Sequence, residues 1–153
     1  MLEKILVCLD GSKAAEQILP YITGDTKFIG SKLVLLRAVS LPGFSLPLSV
    51  PGEPGVPVST GADIKHMEAK EDEAGAYLQT QTALLRQKGF DVDYAAVPGT
   101  AGEIIVHYAE ENEITLIAIA THGHNVARRF FVGSTADYVV RHSIIPVLII
   151  RPQ

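Results

Sequence analysis

The sequence is poor in the residues that several classes of site and of protein require. It contains a single cysteine, Cys8, and no tryptophan among its 153 residues. One cysteine excludes an intrachain disulfide and a zinc site built from several cysteines, and a thiol inside an apolar run is interpreted as a small buried side chain. No apolar stretch approaches the roughly 20 residues that a membrane span needs, and the N-terminus lacks a signal-peptide pattern. We therefore expect a cytoplasmic protein without a membrane partner.

Charge and short motifs exclude further classes. The formal net charge is −4, and no run is rich in lysine or arginine, so we expect no nucleic-acid partner. The patterns GxxxxGK[ST], GxGxxG and HExxH are absent, as is a nucleophile elbow. These absences argue against a P-loop, against an NAD or FAD site of the Rossmann type, and against orthodox hydrolase chemistry. The length and composition are typical of an ordinary globular domain with one core.

Five apolar runs predict strands that are buried on both faces, as in a parallel sheet: Ile5–Leu9, Leu33–Val39, Val92–Val97, Leu116–Ala120 and Pro146–Ile150. Helical spacing between these runs gives the order βαβαβαβαβ. That order predicts an α/β fold of one domain over residues 1–153, with a five-stranded parallel sheet, open and doubly wound (Rossmann-like), and helices on both faces. Ligands bind to such sheets at the carboxyl ends of the strands, where the strand order reverses.

The helix ends follow from capping and breaking residues. Ser12 is the predicted N-cap of a first helix that reaches residue 22, which Pro20 should kink or shorten. A long second helix carries apolar residues from Ile64 to Leu85 on one face and ends before Gly89. A third helix is marked by residues 104–109. The fourth is marked by Ala136, Val139 and Val140, with Ser134 as its predicted N-cap.

One segment interrupts the alternation of strands and helices. Residues Leu41–Asp63 hold five prolines and four glycines, a composition that excludes a helix or a central strand. Because this loop leaves the carboxyl end of the second strand, it is positioned to cover a ligand. A lid and a surface loop without a role are both compatible with its composition.

Glycines and hydroxyl residues follow the fourth strand in a pattern that is typical of phosphate binding. Gly123 suits a turn whose amides converge on one point, and Gly133, Ser134 and Thr135 open the last helix. A helix N-terminus offers free N–H groups and the positive end of the helix dipole, so it attracts anions. We expect no metal site, since the histidines at 122 and 124 have no third ligand nearby in the sequence.

Here the sequence resembles the universal stress protein family, in the branch that binds ATP. The segment ATHG, nine residues and then GS is similar to its signature G-x2-G-x9-G-[ST], and the likeness extends from KILVCLDGS to GSTADYVVRHSIIPVLIIRPQ. The resemblance implies a pocket for the base and ribose, and a second group of residues that holds the phosphates. The implied binding residues are Cys8, Leu9, Asp10, Val39, Ile119, Ala120, Gly123, Gly133, Ser134 and Thr135.

Within that set, the resemblance gives each end of the nucleotide its own contacts. Asp10 would accept hydrogen bonds from the ribose or adenine side, while Val39 and Ile119 would contact the base. Ala120 replaces the first glycine of the signature, and we expect its methyl group to crowd the ribose or the α-phosphate. The resemblance also implies a homodimer that pairs through the C-terminal strand.

Three functions follow as hypotheses. The first is an ATP-binding regulator or switch in stress response, with or without Mg²⁺ and with at most slow hydrolysis. The second is a dimerisation or interaction module of the same fold, in which Ala120 has closed the site. The third, a phosphoryl-transfer enzyme, needs a base and a charge clamp that the sequence does not supply.

Overall fold

A computed structural model of the chain describes residues 4–40, 61–121 and 133–153, with the side chains of the middle range described from residue 64. These residues form five strands and five helices, with a short 3₁₀ helix at Thr26–Phe28. The strands are β1 Lys4–Cys8, β2 Lys32–Val39, β3 Asp91–Pro98, β4 Leu116–Ala120 and β5 Val147–Ile150. The helices are α1 Lys13–Glu16, α2 Ile18–Gly24, α3 Gly61–Gln87, α4 Ala101–Glu111 and α5 Ser134–His142.

All five strands belong to one parallel sheet in the order β3-β2-β1-β4-β5. The chain moves outward from β1 through β2 to β3, crosses back, and adds β4 and β5 on the other side. The predicted parallel α/β fold is therefore confirmed, and the strand order reverses at β1. That reversal opens a crevice between the carboxyl ends of β1 and β4.

Continuous apolar runs produce two cores because the sheet is covered on both faces. One face packs against α1, α2 and α3 through side chains such as Ile5, Val7 and Leu78. The other packs against α4 and α5 through Leu6, Ile117 and others. Within the described ranges, no helix is both long and apolar enough to cross a membrane.

The predicted first helix is two helices, and Pro20 explains the break. Proline has no N–H, so the hydrogen bond that residue 20 would donate to the Glu16 carbonyl cannot form. The chain therefore ends α1 at Glu16 and starts α2 at Ile18, which places Pro20 in a first turn, where an amide has no helical partner. Ser12 caps α1 as predicted, because its hydroxyl accepts from the Ala15 amide at 3.1 Å.

Several local predictions were wrong at helix ends and on helix faces. The N-cap of α5 is Gly133, and Ser134 is its first helical residue. Ile64, which helical spacing placed on the apolar face of the long helix, is 50% exposed, and Val140, which marked the last helix, is 51% exposed. The proline-rich loop ends earlier than predicted, since α3 begins at Gly61; residues 41–60 lie outside the described part of the chain.

Candidate functional site

A cleft of about 160 Å³ lies at the carboxyl ends of the strands, on the side of the sheet that α4 and α5 cover. It sits at the point where the strand order reverses, between β1 and β4. The ends of β1, β2 and β4 form its floor, and the first turns of α4 and α5 form its walls. Its lining comprises Cys8, Leu9, Asp10, Ala15, Leu36, Ala38, Ala101, Ile105, Ile119, Ala120, Thr121, Gly133, Ser134, Thr135 and Ala136.

The exit from β1 is a tight turn that presents Asp10 to the cleft. Asp10 Oδ1 accepts a hydrogen bond from the Ser12 amide at 2.8 Å, and the Ser12 hydroxyl then caps α1. Between them Gly11 has φ +87°, a conformation that side chains with a Cβ rarely adopt. The sequence Asp-Gly-Ser thus folds back on itself and holds a carboxylate at the cleft mouth.

The entry to α5 presents backbone donors to the same cleft. Gly133, the N-cap, has φ +85° and, being a glycine, supplies no side-chain cap of its own. The first hydrogen bond of the helix runs from the Asp137 amide to the Gly133 carbonyl at 2.9 Å. The amides of Ser134, Thr135 and Ala136 therefore have no partner within the helix, and the positive end of its dipole faces the cleft. Such an N-terminus is suited to an anion.

Apart from Thr121, the rest of the lining is apolar and uncharged. Leu36, Ile105 and Ile119 are at least nine-tenths buried and supply a nonpolar wall. Burial raises the pKa of the Cys8 thiol to about 12, so this side chain is neutral. Asp10 is the one charged side chain among the described lining residues. The cleft thus combines an apolar end, a carboxylate and a set of amide and hydroxyl donors.

Eight of the ten predicted binding residues line this cleft: Cys8, Leu9, Asp10, Ile119, Ala120, Gly133, Ser134 and Thr135. Val39 does not line it; its side chain is buried, and its carbonyl accepts from the Gly99 amide at 3.0 Å. Gly123, together with His122 and His124, lies outside the described residues. Among the described residues, no group of three or more His, Cys, Asp or Glu side chains is placed to hold a metal ion.

Sequence reasoning missed the small residues of the cleft walls. Ala15, Ala38, Ala101 and Ala136 line the cleft because a methyl group leaves room where two elements converge. An alanine carries no chemical signal of its own. The signal was positional: Ala38 lies near the end of a strand, and the other three lie in the first turn of a helix.

Comparison with known proteins was made on the whole chain. The sequence pattern of the Universal stress protein family matches residues 1–151. Universal stress protein Slr1230 of Synechocystis sp. is 31% identical over 97% of this chain, which spans 42% of that protein's length. Universal stress protein Sll1388 of the same organism is 25% identical, and 97% of each chain is covered.

Solved structures share the fold. Universal stress protein UspA from Lactobacillus plantarum superposes with a TM-score of 0.76 at 23% identity, covering 98% of each chain. A universal stress family protein from Arabidopsis thaliana, determined with AMP bound, gives 0.65 at 11% identity over 99% of this chain and 92% of that one. A universal stress protein in complex with cAMP gives 0.57 at 19% identity over 98% and 97%.

Proposed function

The chain belongs to the universal stress protein family, and on that premise we propose that it binds ATP in the cleft and acts as a nucleotide-dependent switch in stress response. The observation that supports this most directly is the N-terminus of α5, whose glycine N-cap supplies no side chain and whose first residues, Ser134 and Thr135, line the cleft. A phosphate group is the anion that suits these donors. Two proteins of the same fold were solved with AMP and with cAMP, which supports an adenine nucleotide as the class of ligand.

The two ends of the cleft match the two ends of a nucleotide. The apolar wall of Leu36, Ile105 and Ile119 suits the flat base, and the Asp10 carboxylate suits ribose hydroxyls. A Mg²⁺ ion that accompanies ATP would be coordinated chiefly by phosphate oxygens, as is usual for this ion. The sequence offers no base that can be assigned to an attacking water, and we therefore propose at most slow hydrolysis. We also propose that the protein is cytoplasmic.

Calorimetric titration of the full chain with ATP and AMP tests this proposal. The sharpest variant pair is Ser134→Glu and Ser134→Gln, because Ser134 is exposed and the two side chains differ chiefly in charge. A carboxylate at this position favours the helix dipole, so folding is preserved, but it repels phosphate. We expect Ser134→Glu to weaken ATP binding at least about tenfold relative to Ser134→Gln. Absence of heat with either nucleotide in the wild type would refute the proposal.

A second function, an interaction module with a closed site, is favoured by one observation. Ala120 stands where the family signature has glycine, and it lines the cleft. Nucleotide that survives purification, detected by mass spectrometry, would exclude this alternative.

We also propose that two copies pair through β5. This strand is at the edge of the sheet, and Ile144, just before it, is 89% exposed. Unpaired apolar edges tend to find a partner. Ile144→Asp should convert a dimer to a monomer in sedimentation analysis, whereas Ile29→Asp, at a 69% exposed position before β2, should not. A wild type that sediments as a monomer would refute the pairing.

A further inference from the structure

Arg37 is a charged residue close to the cleft that belongs neither to the family signature nor to the cleft lining. It lies in β2, and its side chain shares the α1–α3 face with Leu33 and Leu35, because successive side chains of a strand alternate between faces. Its guanidinium carbon lies 5.3 Å from the ring centroid of Tyr77 in α3. This cation–π contact holds the guanidinium in one place.

The same guanidinium covers Gly11. A Cβ built on Gly11 would lie 3.0 Å from Nη1, 3.1 Å from Cζ and 3.2 Å from Nη2 of Arg37. Because three bonded atoms are almost equally distant, the guanidinium presents its flat face, rather than its edge, to the turn. The turn after β1 is thus backed by a planar cation.

Tyr77 links this cation to the helix that follows the turn. Its hydroxyl donates to Glu16 Oε1 at 3.0 Å, and Lys13 Nζ lies 3.0 Å from Glu16 Oε2. Burial, and then the hydrogen bond to Glu16, raise the pKa of Tyr77, so the hydroxyl keeps its proton and remains a donor. One aromatic side chain therefore supports both Arg37 and the end of α1.

We propose that Arg37 is a positioning residue for the nucleotide cleft: by backing Gly11 it fixes the turn that aims the Asp10 carboxylate at the ribose hydroxyls. The ribose part of this inference rests on the proposed function, whereas the hold on the turn does not. Lysine would keep the charge but has no flat face to lay against Gly11 or Tyr77. Arg37→Lys is therefore the informative substitution.

The preference of the protein for ATP over a nucleotide without ribose hydroxyls distinguishes a positioning role of Arg37 from a general loss of stability. Affinities for ATP and for 2′,3′-dideoxy-ATP are measured by calorimetry in the wild type, Arg37→Lys, Asp10→Asn and the double variant. We expect Arg37→Lys to lower the preference for ATP about tenfold, and the double variant to be no less selective than Asp10→Asn. Arg86→Lys is the matched control, because Arg86, on α3, is a second arginine with a defined contact: it donates to the Val92 carbonyl at the sheet edge. An unchanged sugar preference in Arg37→Lys would overturn the proposal.

Amide hydrogen exchange of the ligand-free protein tests the turn itself. The Ser12 amide is held by Asp10 Oδ1 at 2.8 Å, so its exchange reports the order of the turn. We expect Arg37→Lys to speed exchange at Ser12 about tenfold while Arg86→Lys leaves it unchanged. Equal exchange in the two variants would overturn the role of Arg37. If the wild type binds no nucleotide, the proposed function is refuted. Faster exchange at Ser12 in Arg37→Lys would still support the hold of Arg37 on the turn.

Discussion

Gly102 in α4 and Tyr138 in α5 touch so closely that a side chain at position 102 has no room. A Cβ built on Gly102 would lie 2.7 Å from Cδ1 of Tyr138 and 2.9 Å from its Cβ. The Tyr138 ring also stacks on the ring of His142, with 3.9 Å between the centroids. Since Ala101 and Ala136 line the cleft beside this contact, the distance between the two helices sets the width of the site.

Gly102→Ala should therefore destabilise the fold, although alanine is the better helix former. Overpacking of this kind typically costs about 1–3 kcal/mol, more than the helix propensity gained. Gly75→Ala in α3 is the matched control, because nothing lies within 4 Å of its Cβ position; it should stabilise by about 0.5–1 kcal/mol. Urea unfolding of both variants measures the difference. Equal effects in the two would contradict the helix contact.

Thr82 in α3 is a buried position where a polar group weakens the protein. Its side chain is 2% exposed, and its hydroxyl has no hydrogen-bond partner among the described residues. Thr82→Val keeps the shape and removes the unpaired hydroxyl, so we expect a gain of about 1 kcal/mol in the free energy of unfolding.

The control for that substitution is Thr80→Val. The Thr80 hydroxyl is exposed and donates to the Ala76 carbonyl at 3.0 Å, so its loss should change stability by no more than about 0.5 kcal/mol. Denaturant midpoints of both variants, measured together, test whether removal of the Thr82 hydroxyl stabilises the protein. A loss of stability in Thr82→Val would show that the hydroxyl is satisfied in solution.

Cys8 makes the stability of the folded protein depend on pH in the alkaline range. Burial raises the pKa of its thiol to about 12 from the ordinary value of 9.0, so between these pH values the unfolded chain loses a proton that the folded chain retains. Stability must then fall as pH rises through this window, by about 1.4 kcal/mol from Cys8 at pH 10. Unfolding at pH 7 and pH 10 measures it, with Cys8→Ala as the control, in which this part of the pH dependence should vanish. Rapid alkylation of the native thiol at pH 8 would contradict its burial.

The strands and the sheet were predictable because burial on both faces leaves a continuous apolar run, as in Leu33–Val39, whatever surrounds it. Helix ends depend on single backbone groups. The break at Gln17 follows from the missing N–H of Pro20. The N-cap of the last helix is Gly133 because its φ is +85°, a conformation that a serine would adopt only under strain. Ile64 shows a third limit: helical spacing places it on the buried face, but it is 50% exposed among the residues that the structure describes.

In the site, residues with chemical character were predictable and those with only shape were not. The side chains of Asp10 and Ser134 can form hydrogen bonds, which made them candidates in the sequence, and both line the cleft. Arg37 was overlooked because a cation inside an apolar strand has no meaning until Tyr77 and Gly11 are brought to it from distant parts of the chain. Contacts of this kind are tertiary, and no local pattern encodes them.

Ala120 decides whether the cleft admits a nucleotide. It ends β4, pairs with Ile150 of β5, and is half-buried at the cleft surface. The proposed function requires that its methyl group be tolerated, so Ala120→Gly should change ATP affinity by less than about tenfold, whereas Ala120→Leu should fill the cleft and abolish binding. Calorimetry with ATP measures both, and unfolding midpoints verify that each variant is folded. If the wild type binds nothing and Ala120→Gly binds ATP, the methyl group has closed the site, and the interaction module is the correct function.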